Sequence, residues 1–260
     1  MNTLVLIAGA VTGEVEGIRQ AVENPVCSCV GQRELVSGFI CKKAVQILVT
    51  GPGLLNTAQS LTAVMEHCRP QMIIQTGCAG VFRQSGLEIG DIGIAAAETD
   101  VHLGMESADG EIPEELPFAL MTKEHREIRS VYPLHAEKSR AAEIFLRKAF
   151  ENICRVKKGM FATVSTVTAT DLRADMLYRN YCPVMENMEG AAAAYLGLFY
   201  DIPCIEIRAA SNYAGKRDRE NWALKPAFER CAAAVLSLLH EPDFWQEKYQ
   251  NQADRNPAAS

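Results

Sequence analysis

Short, continuous apolar runs that stop at glycine constrain the fold of this chain more than any other feature. Residues 4–8 form such a run and break at Gly9, and residues 72–75 form another that closes in the glycine-bearing stretch 76–80. A continuous apolar run is typical of a strand covered on both faces, as in the centre of a parallel sheet. The pattern therefore predicts a parallel sheet with helices on both sides and glycine-rich turns at the strand ends.

Strand-like and helix-like segments alternate along most of the chain. Further strands are predicted at residues 35–41, 45–50, 90–97, 161–167, 184–188 and 204–207. Helices are predicted to begin at Glu14 and Glu189 and to span residues 55–67, 141–150, 171–181 (capped by Asp171) and 224–238. The alternation predicts one α/β domain, a three-layer αβα sandwich around a mixed, mainly parallel central sheet.

Two segments do not follow this alternation. Residues 98–134 are polar and acidic and contain several glycines and prolines. A loop of this length inside a compact domain is usually a lid, a binding loop or an oligomer contact. From Glu241 onward the chain is polar and poorly patterned, which indicates a mobile tail. We therefore assign residues 1–240 to the domain and 241–260 to a polar C-terminal tail.

Composition and charge narrow the classes of partner. The chain has 260 residues, and its net charge of -6 comes from acids and bases that are interspersed, which does not favour nucleic acid. Residues 1–10 are apolar but lack a basic start and are too short for a signal peptide or a membrane span. The 9 cysteines are scattered, which fits a reducing compartment. We expect a cytoplasmic protein that binds neither nucleic acid nor membrane.

No metal or cofactor is expected. Cys27 and Cys29 have no second cysteine pair and no histidine nearby, and the 5 histidines show no metal-like spacing. The sequence GxGxxG does not follow the first strand, which weakens a dinucleotide-binding interpretation, and the absence of GxxxxGK[ST] removes P-loop chemistry.

Polar groups gather around the last predicted strand. Glu189 opens an Ala-rich helix before it, and Arg208, Ser211 and Asn212 lie at the far end of the strand at residues 204–207. In an open α/β sheet, ligands bind beyond the carboxyl ends of the strands, and glycine-rich turns there let a ligand approach backbone amides. The stretch therefore predicts the ligand site.

Each charged residue also has an ordinary structural interpretation. Glu14 and Glu189 are acids near helix N-termini, where the helix dipole favours them. Arg208 at a strand end suits an ion pair with Glu186 or Glu206. Their occurrence together with Asn212 nevertheless favours a functional role.

Four groups of residues, taken in order, resemble the nucleoside phosphorylase/nucleosidase superfamily from Leu4 to Leu239. They are Gly9, Ala10 and Glu14; Gly51-Pro52-Gly53; Thr76-Gly77-Cys78-Ala79-Gly80; and Asn187-Met188-Glu189-Gly190 followed by Ile207-Arg208-Ala209-Ala210-Ser211-Asn212. The order is similar to methylthioadenosine/S-adenosylhomocysteine nucleosidases, which carry aspartate where this chain has Asn212. The run Ser211-Asn212-Tyr213 followed by Arg217-Asp218-Arg219 and Trp222 resembles futalosine hydrolase of menaquinone biosynthesis, which releases hypoxanthine.

The resemblance implies a role for each matching residue. Glu14 would activate water as a base. Glu189 would bind the ribose hydroxyls and stabilise a cationic ribose, and Arg208 would hold the carboxylates and the water in register. The expected substrate contacts besides Glu189 are Met188 as an apolar wall, Cys78 in place of the usual serine, Ala79, Gly80, Thr166 and Tyr213.

Asn212 is expected to select the purine. An asparagine amide can donate to the O6 and N7 acceptors of a 6-oxopurine without proton transfer, and hypoxanthine leaves more readily than adenine. This predicts futalosine hydrolysis that releases hypoxanthine. An adenine nucleosidase, a purine nucleoside phosphorylase and, less favoured, a non-catalytic nucleoside-binding protein stay open as alternatives.

Water is expected to be the acceptor. Residues 9–14 and 51–60 contain no arginine to hold phosphate, Arg19 and Arg33 being the nearest, and Glu14 would repel it. The resemblance further implies a homodimer, and His102 or Lys123 is a candidate cation for the aryl carboxylate of futalosine.

Overall fold

The computed structural model describes residues 4–108, 110, 112–123, 125–216 and 219–245. Its strands are β1 (Leu4–Gly9), β2 (Glu23–Val30), β3 (Arg33–Ile40), β4 (Lys43–Val49), β5 (Met72–Val81), β6 (Ile92–Asp100), β7 (Met121–Lys123), β8 (Arg126–Ile128), β9 (Val131–Pro133), β10 (Val156–Thr163), β11 (Met185–Asn187) and β12 (Cys204–Tyr213). Its helices are α1 (Thr12–Arg19), α2 (Leu54–His67), α3 (Ala136–Ala149), α4 (Asp171–Tyr181), α5 (Gly190–Phe199), α6 (Leu224–His240) and α7 (Pro242–Trp245).

The central sheet is mixed and closes on itself at one side. Its strand order is β11-β10-β6-β12-β5-β1-β4-β3-β2, and β9 pairs with β6. Strands β4, β1, β5 and β12 run parallel to one another, so their carboxyl ends share one edge. Strand β11 pairs with β10 and also, antiparallel, with β5, which closes β5, β12, β6, β10 and β11 into a ring. This closure brings the segment after β11 to the same edge.

Helices cover both faces of the sheet, as the continuous apolar runs predict. On β1, Val5 and Ile7 pack towards α1, α3 and α6, whereas Leu6 and Ala8 pack towards α2 and α5. Because side chains alternate along a strand, a strand buried on both faces needs apolar residues at every position. Each fully buried aliphatic side chain contributes about 1.5–3 kcal/mol to this core. The expected three-layer architecture is confirmed.

Several local expectations differ from the structure. Strand β2 was not predicted, because its side chains are exposed and show no apolar pattern; its antiparallel pairing with β3 makes it a strand. Strand β10 spans Val156–Thr163 instead of residues 161–167. Glu98 lies inside β6, and residues 98–134 also contain β9 and the β7–β8 hairpin. The predicted loop is therefore partly ordered into strands.

The cap of α4 is Thr170 and not Asp171. The Thr170 hydroxyl accepts a hydrogen bond from the Arg173 amide at 3.2 Å. Asp171 accepts from the backbone amide of Lys216 at 3.0 Å and thereby ties the segment after β12 to the helix. Thr and Asp both suit the cap position, so the sequence Thr170-Asp171 does not by itself distinguish between them.

The ordered chain continues past the expected domain end. Residues 242–245 form α7, Phe244 is buried, and the Trp245 indole donates to the Leu238 carbonyl at 2.8 Å. The Lys138 ammonium lies 5.0 Å from the Phe244 ring centre. A mobile tail from Glu241 is therefore wrong for these four residues, while residues 246–260 lie outside the described residues. No helix in the described part of the chain has the length and apolarity of a membrane span.

Replacing Phe244 with alanine tests this C-terminal contact. Phe244→Ala is expected to lower the free energy of unfolding by about 3–5 kcal/mol, because it removes a buried ring and leaves a cavity. The same truncation at Phe118, which is 58% exposed, should change it by less than about 0.5 kcal/mol. Urea unfolding followed by circular dichroism measures both values. Equal effects would show that α7 does not pack against the domain.

Candidate active site

Glu14 lies just beyond β1, in the first turn of α1, and its carboxylate is held by backbone amides. Oε2 accepts from the amides of Ala10 at 2.7 Å and Val11 at 3.2 Å, and Oε1 accepts from the Cys78 amide of β5 at 2.9 Å. At Gly77 the backbone φ is 150°, and a Cβ there would lie 2.4 Å from Glu14 Oε1. Only glycine at position 77, inside β5, lets this strand and the end of β1 share the carboxylate.

The environment of Glu14 suits a base. Burial raises the pKa of Glu14 above its usual value of 4.5, against smaller opposing effects of the Arg208 guanidinium and the Cys78 amide. A carboxylate with a raised pKa accepts a proton from water more readily than an exposed one.

Glu189 occupies the N-cap position of α5, directly after β11. Its Oε1 accepts from the Gly53 amide in the turn after β4 at 2.9 Å, and its Oε2 lies 3.1 Å from Arg208 Nη1. The Asn187 side chain accepts from the amides of Glu189 at 2.9 Å and Gly190 at 2.7 Å. Asn187 thus fixes the backbone from which the Glu189 carboxylate extends.

Arg208 lies within β12, rather than beyond the strand end, and it pairs with Glu189 and Glu206. Its guanidinium is 1% exposed and donates from Nε to Glu206 at 2.8 Å and from Nη1 to the Cys78 carbonyl at 3.2 Å. Burial by itself lowers the pKa of Arg208, but Glu206, Glu189 and Glu14 together outweigh it and raise that pKa. The expected ion pair with Glu206 is confirmed.

Glu186 was the other partner considered for Arg208, and the structure pairs it differently. Its carboxylate accepts from the backbone amide of Thr168 at 3.1 Å and from the Thr168 hydroxyl. It therefore ties the segment between β10 and α4 to β11.

Asn212 lies at the end of β12, beside Gly80 of β5. The register of the two strands shifts between Ala210 and Asn212, so the strand is bulged at Ser211. Such a bulge re-aims the following side chain. The Asn212 amide nitrogen donates to the Tyr213 carbonyl at 3.0 Å, and its oxygen accepts from the Ser211 hydroxyl at 2.8 Å.

The remaining candidate residues lie around these groups. Met188 packs against the apolar cluster between β10 and α4, and the Tyr213 ring carries the Arg83 guanidinium 3.9 Å from its centre. Ala79 accepts from the Ser211 hydroxyl at 3.3 Å. Thr166 is exposed in the segment after β10. Positions on shared strand ends bring most of these residues together, and their roles stay predictions.

Cys78 contributes its backbone more than its thiol. Its amide and carbonyl bind Glu14 and Arg208, while its side chain packs near Cys231. Burial, and then Glu14, raise the pKa of the Cys78 thiol, which therefore stays protonated at neutral pH. A nucleophilic thiolate at this position is not supported.

Neither predicted cation for the 5′ group is suitably placed. Lys123 pairs with Asp201 at 2.7 Å, next to the amino end of β12, so it lies at the edge opposite Asn212. Burial, and then Arg173, lower the pKa of His102, which is therefore neutral at neutral pH. Its ring nitrogens contact the Ser165 amide at 3.0 Å and Arg173 Nη2 at 3.1 Å. Arg173, which was not predicted, is the cation that contacts His102.

Other relevant residues were also missed. Arg33 lies against the second glycine turn. A Cβ built at Gly51 would be 3.2 Å from its guanidinium nitrogens, and the guanidinium donates to the Asn56 side chain at 2.7 Å. The assumption that no arginine is near this turn was therefore wrong. Glu98 and Glu206 are fully buried behind Arg208. Glu206 was expected as an ion-pair partner of Arg208, and only Glu98 was missed, although an acid inside an otherwise apolar strand is a signal for such a residue.

The site therefore combines buried carboxylates on glycine turns with an arginine and an amide on one strand. The family model described as the phosphorylase superfamily matches residues 3–241 of this chain. The chain belongs to the phosphorylase superfamily.

Curated relatives and solved structures agree with this assignment. The chain is 32% identical to the 5′-methylthioadenosine/S-adenosylhomocysteine nucleosidase of Bacillus cereus over 218 residues, 82% of this chain and 87% of that relative. It is 28% identical to the enzyme of the same name from Bacillus licheniformis over 241 residues, 90% of this chain and 97% of the relative.

Two solved structures of superfamily members share the fold. Futalosine hydrolase of Helicobacter pylori superposes with a TM-score of 0.79 at 18% identity, covering 91% of this chain and 97% of that one. The nucleosidase of Neisseria meningitidis in complex with methylthio-immucillin-A gives 0.77 at 21% identity, covering 91% and 98%. The relatives are N-glycosyl hydrolases by name, and the expectation of an enzyme of that class is confirmed.

The pKa of Glu14 gives this superfamily member a testable pH dependence. If the ionised carboxylate is the base, kcat/KM for nucleoside cleavage should fall on the acid side with an apparent pKa above 4.5, because the raised pKa protonates it sooner. Glu14→Gln should lower kcat/KM by about 10²–10⁴-fold. A control, Glu16→Gln on the same helix, alters a surface carboxylate that bonds Gln20 and should keep the wild-type profile. An active Glu14→Gln variant with an unchanged acid limb would rule Glu14 out.

Proposed function

We propose that this chain hydrolyses the N-glycosidic bond of futalosine, releasing hypoxanthine and dehypoxanthine futalosine, as a step of menaquinone biosynthesis. The observation that carries the proposal is the arrangement at Asn212. The Tyr213 carbonyl can only accept hydrogen bonds, so it fixes the Asn212 nitrogen on its own side and leaves a second N–H for a ligand. Asn212, the residue proposed to contact the purine, would therefore present a hydrogen-bond donor to it.

A donor at this position suits a 6-oxopurine. Hypoxanthine presents acceptors at O6 and N7, and negative charge builds on the ring as it leaves. The Asn212 N–H can stabilise that charge without transferring a proton. Adenine presents an amino group at the same edge, which an N–H donor opposes.

Glu189 is proposed to bind and polarise the ribose. Each of its carboxylate oxygens has one protein donor, the Gly53 amide or Arg208, and each retains acceptor capacity for a ribose hydroxyl. Its negative charge then lies beside the sugar on which positive charge develops in the transition state. Met188, the residue before it, would form the apolar wall of the sugar pocket.

Water is the proposed acceptor, with Glu14 as its base. Turns with several free amides are natural phosphate sites. Here the amides of Ala10, Val11 and Cys78 donate to Glu14, and the Gly53 amide donates to Glu189. The protein's own carboxylates fill the anion-binding positions, which favours a neutral water over phosphate.

Arg173 is proposed to bind an anionic 5′ group. It lies in the first turn of α4 and contacts His102, close to the segment after β10. Futalosine carries an aryl carboxylate on its 5′ side, and a guanidinium pairs well with a carboxylate. A neutral His102 would hold the Arg173 side chain in place.

We further propose a cytoplasmic homodimer. The segment 98–134 carries exposed apolar side chains that a monomer would leave in water: Met105, Phe118, Leu120 and Val131. Exposed apolar groups gathered in one segment often mark an interface. In the superfamily resemblance this segment meets the neighbouring subunit near the 5′ pocket.

Two alternatives have specific support. Sequence identity of 32% to an adenine-releasing relative favours a methylthioadenosine/S-adenosylhomocysteine nucleosidase. Arg33 beside Gly51 favours a purine nucleoside phosphorylase. A non-catalytic nucleoside-binding protein has less support, because both Glu14 and Glu189 are present.

Identifying the released base tests the proposal. The pure protein, incubated without phosphate, should release hypoxanthine from futalosine faster than adenine from methylthioadenosine, as chromatography of the products would measure. Asn212→Asp should lower kcat/KM for futalosine by about 10–100-fold, since an anion replaces the donor. Ser211→Ala removes the hydroxyl that donates to the Asn212 oxygen but keeps the amide N–H, so it should lower kcat/KM for futalosine less than Asn212→Asp does. Faster cleavage of methylthioadenosine, or a requirement for phosphate, would favour an alternative.

The 5′ assignment has its own test. Arg173→Met should raise KM for futalosine by about 10-fold or more, because a charge-assisted hydrogen bond is lost, and leave KM for inosine unchanged. Arg179→Met on the same helix is the matched control, because Arg179 is exposed. Steady-state kinetics with both nucleosides measures the difference. Equal KM values for the two variants on futalosine would exclude Arg173.

A further inference from the structure

Two glutamates face each other in the core behind the site, on neighbouring strands β6 and β12. Glu98 and Glu206 are both fully buried. A Cβ at Gly190 would lie 2.1 Å from Glu98 Oε1 and 2.4 Å from Glu206 Oε2. Glycine at the start of α5 therefore leaves room for two carboxyl oxygens to meet.

The hydrogen bonds around Glu98 and Glu206 leave one carboxyl oxygen without a donor. Glu98 accepts from the Asn187 amide nitrogen at 2.6 Å and from the Thr163 hydroxyl at 2.7 Å. Glu206 Oε1 accepts from Arg208 Nε at 2.8 Å. Glu206 Oε2 is buried and has no N–H or O–H donor among the described residues. A proton on Glu98 supplies that donor.

Electrostatics agree with this placement. Two ionised carboxylates in contact within a buried site repel each other strongly, and such pairs hold a single proton between them. Burial, and then Glu206, raise the pKa of Glu98 well above its usual range. Glu98 is therefore protonated at neutral pH, and the pair carries one negative charge.

Each member of the pair is connected, through one intervening residue, to Glu189, the carboxylate proposed to bind the ribose. Glu98 orients the Asn187 amide, whose oxygen accepts from the Glu189 and Gly190 amides. Glu206 accepts from Arg208 Nε and Asn187 accepts from Nη2 at 3.3 Å, which leaves Nη1 directed at Glu189.

We propose that Glu98 and Glu206, sharing one proton, form a positioning unit that holds Asn187 and Arg208 and thereby sets the geometry and charge of Glu189. The negative charge of the pair compensates the Arg208 guanidinium from the core side. The negative charge of Glu189 is then available to stabilise the ribosyl cation. Without Glu206, the Arg208 guanidinium loses the partner of Nε and shifts toward Glu189, where it occupies the oxygens that the ribose hydroxyls need. The inference rests on nucleoside cleavage at this site and not on which base is released.

The titratable groups that face the pair are few among the described residues. Arg208 and Glu189 lie on its site side, with Glu14 beyond them. The buried Cys204 thiol lies on β12 near Glu206, and burial, followed by Glu206 and Glu98, raises its pKa, so it stays uncharged. Arg208 is therefore the cation that balances the pair.

Two substitutions at position 206 separate this role from simple packing. In Glu206→Gln the amide can accept from Arg208 Nε and donate to Glu98, which then ionises; every hydrogen bond and the net charge are kept. We expect kcat/KM within about three-fold of wild type. Glu206→Met keeps the volume but removes the tie to Arg208, and we expect kcat/KM to fall by about 30-fold or more. The nucleoside that the wild type cleaves best serves as substrate.

Infrared spectroscopy tests the shared proton without any substrate, so its result is independent of the proposed base specificity. Wild type should show the carbonyl band of a buried protonated carboxylic acid that Glu206→Gln lacks, while Glu88→Gln, at the surface, keeps it. The difference spectrum removes any contribution from Glu14. Thermal unfolding of each variant confirms that it is folded. A band that persists in Glu206→Gln, or a Glu206→Gln variant as impaired as Glu206→Met, overturns the proposal.

Discussion

The buried guanidinium of Arg208 is the charge around which the site is built. Taking a cation out of water costs several kcal/mol unless it is paired and hydrogen-bonded. Here Glu206 and Glu189 supply the counter-charge, and the Cys78 carbonyl and Asn187 supply further acceptors. Loss of any one of these partners would leave the buried Arg208 guanidinium with an uncompensated charge or an unpaired N–H group. The position of Glu189 is therefore determined by the ion pairs and hydrogen bonds that stabilise Arg208 in the core.

Closure of the sheet makes this arrangement possible. Parallel strands alone bring the ends of β1, β4, β5 and β12 to one edge. Glu189 reaches that edge because β11 pairs with β5 as well as with β10. Two glycines then permit close approach: Gly77 admits the Glu14 carboxylate, and Gly190 admits the carboxyl pair. At Gly190 the missing Cβ explains the glycine, and at Gly77 the positive φ of 150° disfavours other residues as well.

The parts of the molecule that could be predicted are those determined by neighbouring residues or by a repeating pattern of apolar residues. Buried parallel strands must be apolar at every position, so β1 and β5 were recognisable, and so were the polar groups at their ends. Strand β2 was not, because pairing with β3 and not side-chain burial makes it a strand. The contact of Arg33 with Gly51, the orientation of Asn212 and the Glu98–Glu206 pair depend on register and on distant neighbours. Spacing along one chain does not contain that information.

The charge balance of the site supports the proposed cleavage through a cationic sugar. Glu14, Glu189 and the Glu98–Glu206 pair face a single arginine, so with Glu14 ionised the buried groups carry an excess of negative charge. In a medium of low polarity that excess is costly for the free enzyme and is relieved when positive charge develops on the ribose. The same excess disfavours an anionic acceptor. Burial of these acids, which destabilises the empty site, therefore favours both the proposed cationic transition state and water as the proposed nucleophile.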